Sequence, residues 1–173
     1  YYEPNLCESL ERLGFKVHKV KGTDFGFTIE KKSFIRLFFE KKLFSKFEYY
    51  FTIYGIKSYL FNNSILHEIE RNKPEYVFLW RPTLISEKTI KTIKRLNPNS
   101  IIIMFNNDNP FSILYKTSNL HRKRIWSYYF KLIKLVDINL AYRPTNILHL
   151  NNLGSKKTLL FPPYFVPSDI IPY

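Results

Sequence analysis

Polar side chains that bind hydroxyl groups and anions follow four short hydrophobic runs of this sequence, each group beside one or two prolines. In chain order they are Arg81, the tetrad Asn106, Asn107, Asp108 and Asn109, then Arg143, and finally Tyr164. Amide and carboxyl groups hydrogen-bond with hydroxyls, and arginine clamps an anion through two parallel hydrogen bonds. Brought together, these groups would bind a polyhydroxylated or phosphorylated ligand.

The segments that must position these groups alternate between strand and helix periodicity. Strands are predicted at 15–20, 76–80, 101–105, 136–141 and 158–161. Helices are predicted at 5–13, at 29–72 in two pieces that meet near Gly55, and at 86–96, 122–135 and 144–153. Short strands separated by helices are typical of right-handed crossovers between parallel strands. The sequence therefore predicts an α/β fold: a Rossmann-like, doubly wound parallel sheet with helices on both faces.

In an open parallel sheet, ligands bind beyond the carboxyl ends of the strands. The four polar groups should therefore surround one cleft. A purely structural explanation stands beside this one, because Asn or Asp before proline caps the start of a helix. Capping is the favoured role for Asn109, while Asp108 is equally suited to ligand contact, and Arg81 or Arg143 could instead pair with a nearby carboxylate.

Composition and charge limit the classes of protein. The chain has 173 residues, the size of one domain, and 27 Lys and Arg against 14 Asp and Glu give a net charge of +13. The partner would then be a nucleic acid, an anionic membrane or a phosphorylated ligand, unless the charge only reflects an AT-rich coding sequence. The single Cys7 excludes a disulfide framework and agrees with a reducing cytoplasm, and the four histidines show no metal-ligand spacing.

Two stretches resemble a known enzyme family. "MFNNDNPFS" at 104–112, followed by a tryptophan-containing helix and by "KLVDINLAYRPTNILHLNNLGSKKTLLFPPYF" at 134–165, is similar to the amino-terminal domain of the spore-maturation (CgeB-like) glycosyltransferases. The resemblance implies the amino-terminal half of a GT-B architecture, which holds the sugar acceptor. A second half would hold the nucleotide-sugar donor, and no metal or other cofactor is implied.

On this resemblance, residues 1–173 are one acceptor-side domain that lacks its first strand and the donor-binding half. The full-length protein is expected to transfer a sugar to a glycan, lipid-linked or protein acceptor, and this chain alone to be inactive. Asp108 is the candidate base, and Arg81 and Arg143 would orient an anionic acceptor or contact phosphate.

Two alternatives to the glycosyltransferase stay open, and membrane contact is a separate question. Basic charge with many aromatic residues is also typical of nucleic-acid-binding modules, although no recognition motif appears and the aromatics fall mainly at predicted core positions. A non-catalytic α/β scaffold is the third class. Residues 29–50 mix lysines with phenylalanines, which raises the prospect of a cytoplasmic protein held on the inner face of a membrane. In the helical piece that follows, Tyr59, Leu60, Leu66 and Ile69 are expected to face the core.

Overall fold

A computed structural model describes residues 2–20, 56–112 and 120–161. In chain order the elements are α1 (Tyr2–Arg12), α2 (Ile56–Asn72), β1 (Tyr76–Trp80), α3 (Glu87–Leu96), β2 (Ile101–Asn106), α4 (Leu120–Leu132), β3 (Ile138–Ala141), α5 (Pro144–Asn152) and β4 (Thr158–Leu160). The alternation of strand and helix from β1 onward is the one predicted from the hydrophobic periodicity. The first piece of the long helix predicted at 29–72 lies outside the described residues, and the second piece corresponds to α2.

The four strands form one all-parallel sheet in the order β1-β2-β3-β4. This confirms the predicted parallel α/β fold. Because each strand lies beside the one before it in the chain, right-handed crossovers would carry α3, α4 and α5 onto the same face. The described strands contain no reversal of strand order, the feature that would direct further helices to the second face.

The core lies between this helical layer and the sheet. Strand residues Val77, Leu79, Ile102 and Met104 alternate with less buried neighbours and belong to one buried cluster with residues of the helices. The helices contribute buried apolar residues, such as Ile90, Ile93, Leu132 and Leu150, and Ile133 adds another just after α4. Burying each such side chain contributes about 1.5 to 3 kcal/mol, so the periodic apolar faces are what fix the helices on the sheet.

Two predictions from periodicity are wrong. Residues 15–20 form no strand, although Phe15 contacts Tyr76 edge-on at a ring-centroid distance of 6.2 Å. In α2, Tyr59 and Leu60 are exposed rather than buried, at 66% and 48% of their surface. The predicted Ile69 is buried and Leu66 is partly buried against the core. The stripe facing the core runs through Phe61, Ile65 and Ile69, which are spaced four residues apart.

Candidate functional site

The four strand ends converge at the carboxyl edge of the sheet, as the sequence predicts. Phe105, at the end of β2, is only 2% exposed because three aromatic rings surround it. Its ring centroid lies 4.9 Å from that of Trp80, 5.1 Å from that of Phe161 and 6.2 Å from that of Tyr142. Each of these residues comes from the end of a different strand, so the cluster joins all four ends.

Arg81 leaves β1 in an unusual backbone conformation. Its φ of +46° lies in the left-handed region, where an L residue pays about 1 to 2 kcal/mol. The backbone is held there because the Arg81 amide donates to the carbonyl of Phe105 at 2.8 Å, which continues the ladder of the sheet. The turn aims the guanidinium at the next strand end, where Nη2 lies 2.9 Å from Oδ2 of Asp108.

Two of the four tetrad side chains are engaged in turns of their own backbone. The buried Asn106 accepts from the amide of Asp108 at 3.3 Å and donates to its carbonyl at 3.4 Å. Asn109 accepts from the amide of Phe111 at 3.2 Å. Asn and Asp side chains form such local turns readily. Asn109, like Asn106, thus closes a local turn; residues 110–112 form a turn and no helix begins among them, so the helix-capping role predicted for Asn109 stays a prediction.

The other two tetrad side chains hold buried oxygens that receive no hydrogen bond from the described residues. They are Oδ1 of Asn107 and Oδ2 of Asp108. The contact of Asp108 with Arg81 is an ion pair by distance, but it lacks the geometry of a directed hydrogen bond. A buried acceptor without a donor costs about 1 to 3 kcal/mol, and this cost applies to Asn107, because the guanidinium of Arg81 compensates the charge of Asp108. Oδ1 of Asn107 is therefore the acceptor best suited to a ligand hydroxyl.

Arg143 lies at the end of the third strand, just before α5. Its side chain does not cap that helix, and Pro144 occupies the first helical position. The guanidinium carbon lies 5.6 Å from the centre of the Tyr142 ring, an arrangement that gives a cation–π interaction. Arg143 forms no ion pair with a described carboxylate, whereas Arg81 does. Tyr164, the last residue of the predicted set, lies outside the described residues.

A buried asparagine that the sequence analysis did not select holds the connection after Arg81 in place. Asn62 of α2 donates to the carbonyl of Leu84 at 3.0 Å and accepts from the amide of Ser86 at 3.0 Å. It also accepts from the hydroxyl of Thr89. Asn62 lies beside Phe61 on the buried stripe of α2. A polar residue at a predicted buried position was the signal in the sequence that could have indicated its structural role.

The second charged cluster lies at the opposite, amino edge of the sheet. Asp137 accepts from the amide of Ile102 at 2.8 Å and pairs with Lys94 and Lys156. Burial alone would raise the pKa of Asp137, but the amide and the two lysines together hold it below its usual value. These partners bind the start of β2 to α3 and β3, so the cluster serves the fold.

Other kinds of site receive no support from the described ranges. No three His, Cys, Asp or Glu residues in them lie close enough to hold a metal ion, and none of the helices described is long and apolar enough to cross a membrane. An open hollow of about 390 Å³ lies on the outer side of α3 rather than at the carboxyl edge.

Comparison with protein-family models, with curated proteins and with solved structures found no match to this chain. The similarity to the CgeB-like glycosyltransferases therefore stays a prediction from the residues that carry it.

Proposed function

We propose that this chain is the acceptor-binding half of a glycosyltransferase and that the carboxyl edge of its sheet binds a polyhydroxylated acceptor. The observation that carries the proposal is the buried Oδ1 of Asn107, which receives no hydrogen bond, next to the ion pair of Asp108 with a strained Arg81. Strain and unmet acceptors both cost folding free energy, and such costs concentrate at functional sites.

The chemistry follows from the groups at this edge. Oδ1 of Asn107 accepts from a sugar hydroxyl and fixes its orientation. Oδ2 of Asp108 accepts from the reacting hydroxyl and takes its proton as that oxygen bonds to the anomeric carbon of the donor. The bond from this carbon to the nucleoside diphosphate breaks in the same transfer, and the electron pair leaves with the diphosphate. Arg81 and Arg143 then supply positive charge for the departing diphosphate or for an anionic acceptor.

The nucleotide-sugar itself is assigned to a second half of the protein, and this chain alone is expected to bind an acceptor without turnover. Association with the inner face of a membrane is part of the proposal, since it would suit an envelope or lipid-linked acceptor.

The nucleic-acid alternative is less well supported. Single-strand binding uses exposed aromatic rings on which bases stack. Trp126 and Tyr129 instead belong to the core, and burial raises the pKa of the Tyr129 phenol.

The test is an NMR titration of the isotopically labelled 173-residue chain with soluble oligosaccharides, chitotriose and maltotriose among them, and with a single-stranded oligonucleotide. A sugar is expected to shift the amide resonances of 106–109. Asn107→Ala and Asp108→Asn should each weaken its binding about tenfold, the effect of losing one hydrogen bond in a buried site. Asn99→Ala, an exposed asparagine at the other edge, is the matched control.

Two results would count against the proposal. One is that no sugar shifts the resonances of the tetrad. The other is that Asn99→Ala weakens binding as much as Asn107→Ala does. Binding of the oligonucleotide that persists in both tetrad variants would favour the nucleic-acid alternative.

A further inference from the structure

The outer side of α3 carries three exposed cations, with Glu87 at its start as the one acidic residue beside them. Lys88, Lys91 and Arg95 are all exposed, and at 100° per residue they fall within about 60° of one another on the helix. The opposite side of the helix carries the buried Ile90 and Ile93. The three cations thus form one row that points directly away from the core.

None of these three cations forms an ion pair with a described carboxylate, although partners are available to other basic residues. Lys94 on the same helix pairs with Asp137, and Arg12 of α1 pairs with Glu8 one turn away. Glu87 precedes Lys91 by one turn without pairing with it. The row therefore presents three uncompensated charges, and Lys88 among them lies in the first turn, where the helix dipole disfavours a cation.

Exposed apolar side chains lie on α2, the helix that packs against α3. Tyr59 and Leu60, in the first turn of α2, expose 66% and 48% of their surface. The two helices pack side by side in parallel, because Asn62 of α2 bonds to Ser86 and Thr89 at the start of α3. Near the other ends of the two helices, Asn97 donates to the carbonyl of Pro74. Tyr59 and Leu60 therefore lie at the Lys88 end of the basic row.

We propose that the outer faces of α2 and α3 form a docking surface for an anionic lipid bilayer. Lys88, Lys91 and Arg95 would contact lipid phosphates, and Tyr59 and Leu60 would enter the boundary between headgroups and acyl chains. A row of cations flanked by an aromatic and an aliphatic side chain is the composition that binds such interfaces. The inference rests on the proposed membrane association and names its surface. It uses none of the sugar-site residues, so the two proposals can fail separately.

The shape and chemistry of the surface favour a bilayer over a nucleic acid. The open hollow of about 390 Å³ runs along the row and is lined by Lys88, Lys91, Arg95, Glu87 and Thr92. It lacks aromatic rings on which successive bases could stack. A shallow polar hollow on a convex helix is instead accessible to many small headgroups at once.

The test is co-sedimentation of the 173-residue chain with phosphatidylcholine vesicles, with and without phosphatidylserine. Binding is expected only with phosphatidylserine and should weaken as salt increases. The triple variant Lys88→Gln, Lys91→Gln, Arg95→Gln should lose about a hundredfold in partitioning, roughly fivefold per charge. The matched control removes three exposed cations elsewhere, as Lys131→Gln, Lys134→Gln, Lys157→Gln, and should retain most of the binding.

A second variant separates the apolar contribution from charge. Tyr59→Ser with Leu60→Ser leaves the net charge unchanged and is expected to weaken vesicle binding about tenfold at fixed salt. Circular dichroism would verify that each variant is folded.

Three results would overturn the proposal. One is that the chain does not bind phosphatidylserine vesicles, and another is that the two triple variants lose equal amounts of vesicle binding. The third result is that the α3 triple variant binds vesicles as the wild type does and loses only its binding to a single-stranded oligonucleotide. If millimolar inorganic phosphate abolishes vesicle binding, the ligand of this surface is a free anion rather than a bilayer, and the proposal is likewise overturned.

Discussion

Replacing Arg81 by glycine and by alanine should separate the backbone strain at the strand end from the ion pair. Both variants lose the contact with Asp108, which is worth no more than about 1 kcal/mol because the Arg81 side chain is 58% exposed. Only alanine retains a Cβ at a φ of +46°, at a cost of about 1 to 2 kcal/mol. Glycine relieves that clash but loses about 0.5 to 1 kcal/mol through the greater freedom of its unfolded chain.

Taking the middle of each range, the balance predicts that Arg81→Gly unfolds with a free energy about 0.75 kcal/mol higher than Arg81→Ala. Urea unfolding measures this difference, and in a chain of this size it corresponds to about 1 to 4 °C in melting temperature. Lys91, within α3, is the control, because in a helix interior glycine should be about 1 kcal/mol less stable than alanine. Equal free energies of unfolding for Arg81→Ala and Arg81→Gly would refute the left-handed conformation at position 81. Because the proposal gives Arg81 a role in acceptor binding, both variants should also bind the sugar more weakly than the wild type.

Two further predictions concern buried polar groups that hold the fold. Asn62→Ala should lower the free energy of unfolding by about 2 to 4 kcal/mol in urea, because it leaves the Leu84 carbonyl and Ser86 amide without partners, whereas exposed Asn63→Ala should change it by less than about 0.5. Asp137→Asn should cost about 1 to 2 kcal/mol near neutral pH. Since the folded pKa of Asp137 lies below its unfolded value, its stabilisation is present above about pH 4 and is lost as the pH falls through the folded pKa. A pH series of unfolding curves checks this, and a cost that stays constant into acid would contradict it.

The convergence of the strand ends could be predicted because it depends on few physical rules. Short apolar runs separated by helices require parallel strands, and parallel strands place all their carboxyl ends at one edge. Arg81 and Asp108 belong to separate strand ends in the sequence, 27 positions apart, yet they meet in the structure. From the sequence, Arg81 could pair with a nearby carboxylate, but Asp108 was not identified as that carboxylate, and nothing in the residue pattern indicated a positive φ at Arg81.

The errors have a common cause: the periodicity of a segment does not show which other elements pack against it. Tyr59 and Leu60 are as apolar as Phe61 and Ile65, and only the position of α3 decides which side of α2 is covered. Residues 15–20 alternate between apolar and polar like a strand. Alternation shows only that a segment could form a strand, and a strand also needs a neighbouring strand to pair with. Asn62 is a polar residue on a buried stripe, and its importance appears only when the β1–α3 connection packs against it.

Two features that destabilise the folded chain, buried oxygens without a hydrogen bond and positive φ angles, distinguish the carboxyl edge from the rest of the described chain. Three buried side-chain oxygens in it lack a hydrogen-bond donor, and two of them, on Asn107 and Asp108, are adjacent at this edge. Two non-glycine residues have positive φ, and the one outside the edge, Lys73, follows a helix end and donates back to the carbonyl of Ile69, as helix termini commonly require. At Arg81 there is no helix end to impose the conformation. At the amino edge, by contrast, Asp137 gathers an amide and two lysines. The third unbonded oxygen, on Asn139 near the amino edge, stands alone in a side chain whose amide donates to Ile133 and Ser155. The carboxyl edge combines an unbonded acceptor on Asn107 with a left-handed Arg81, and that combination is why a ligand should be sought there.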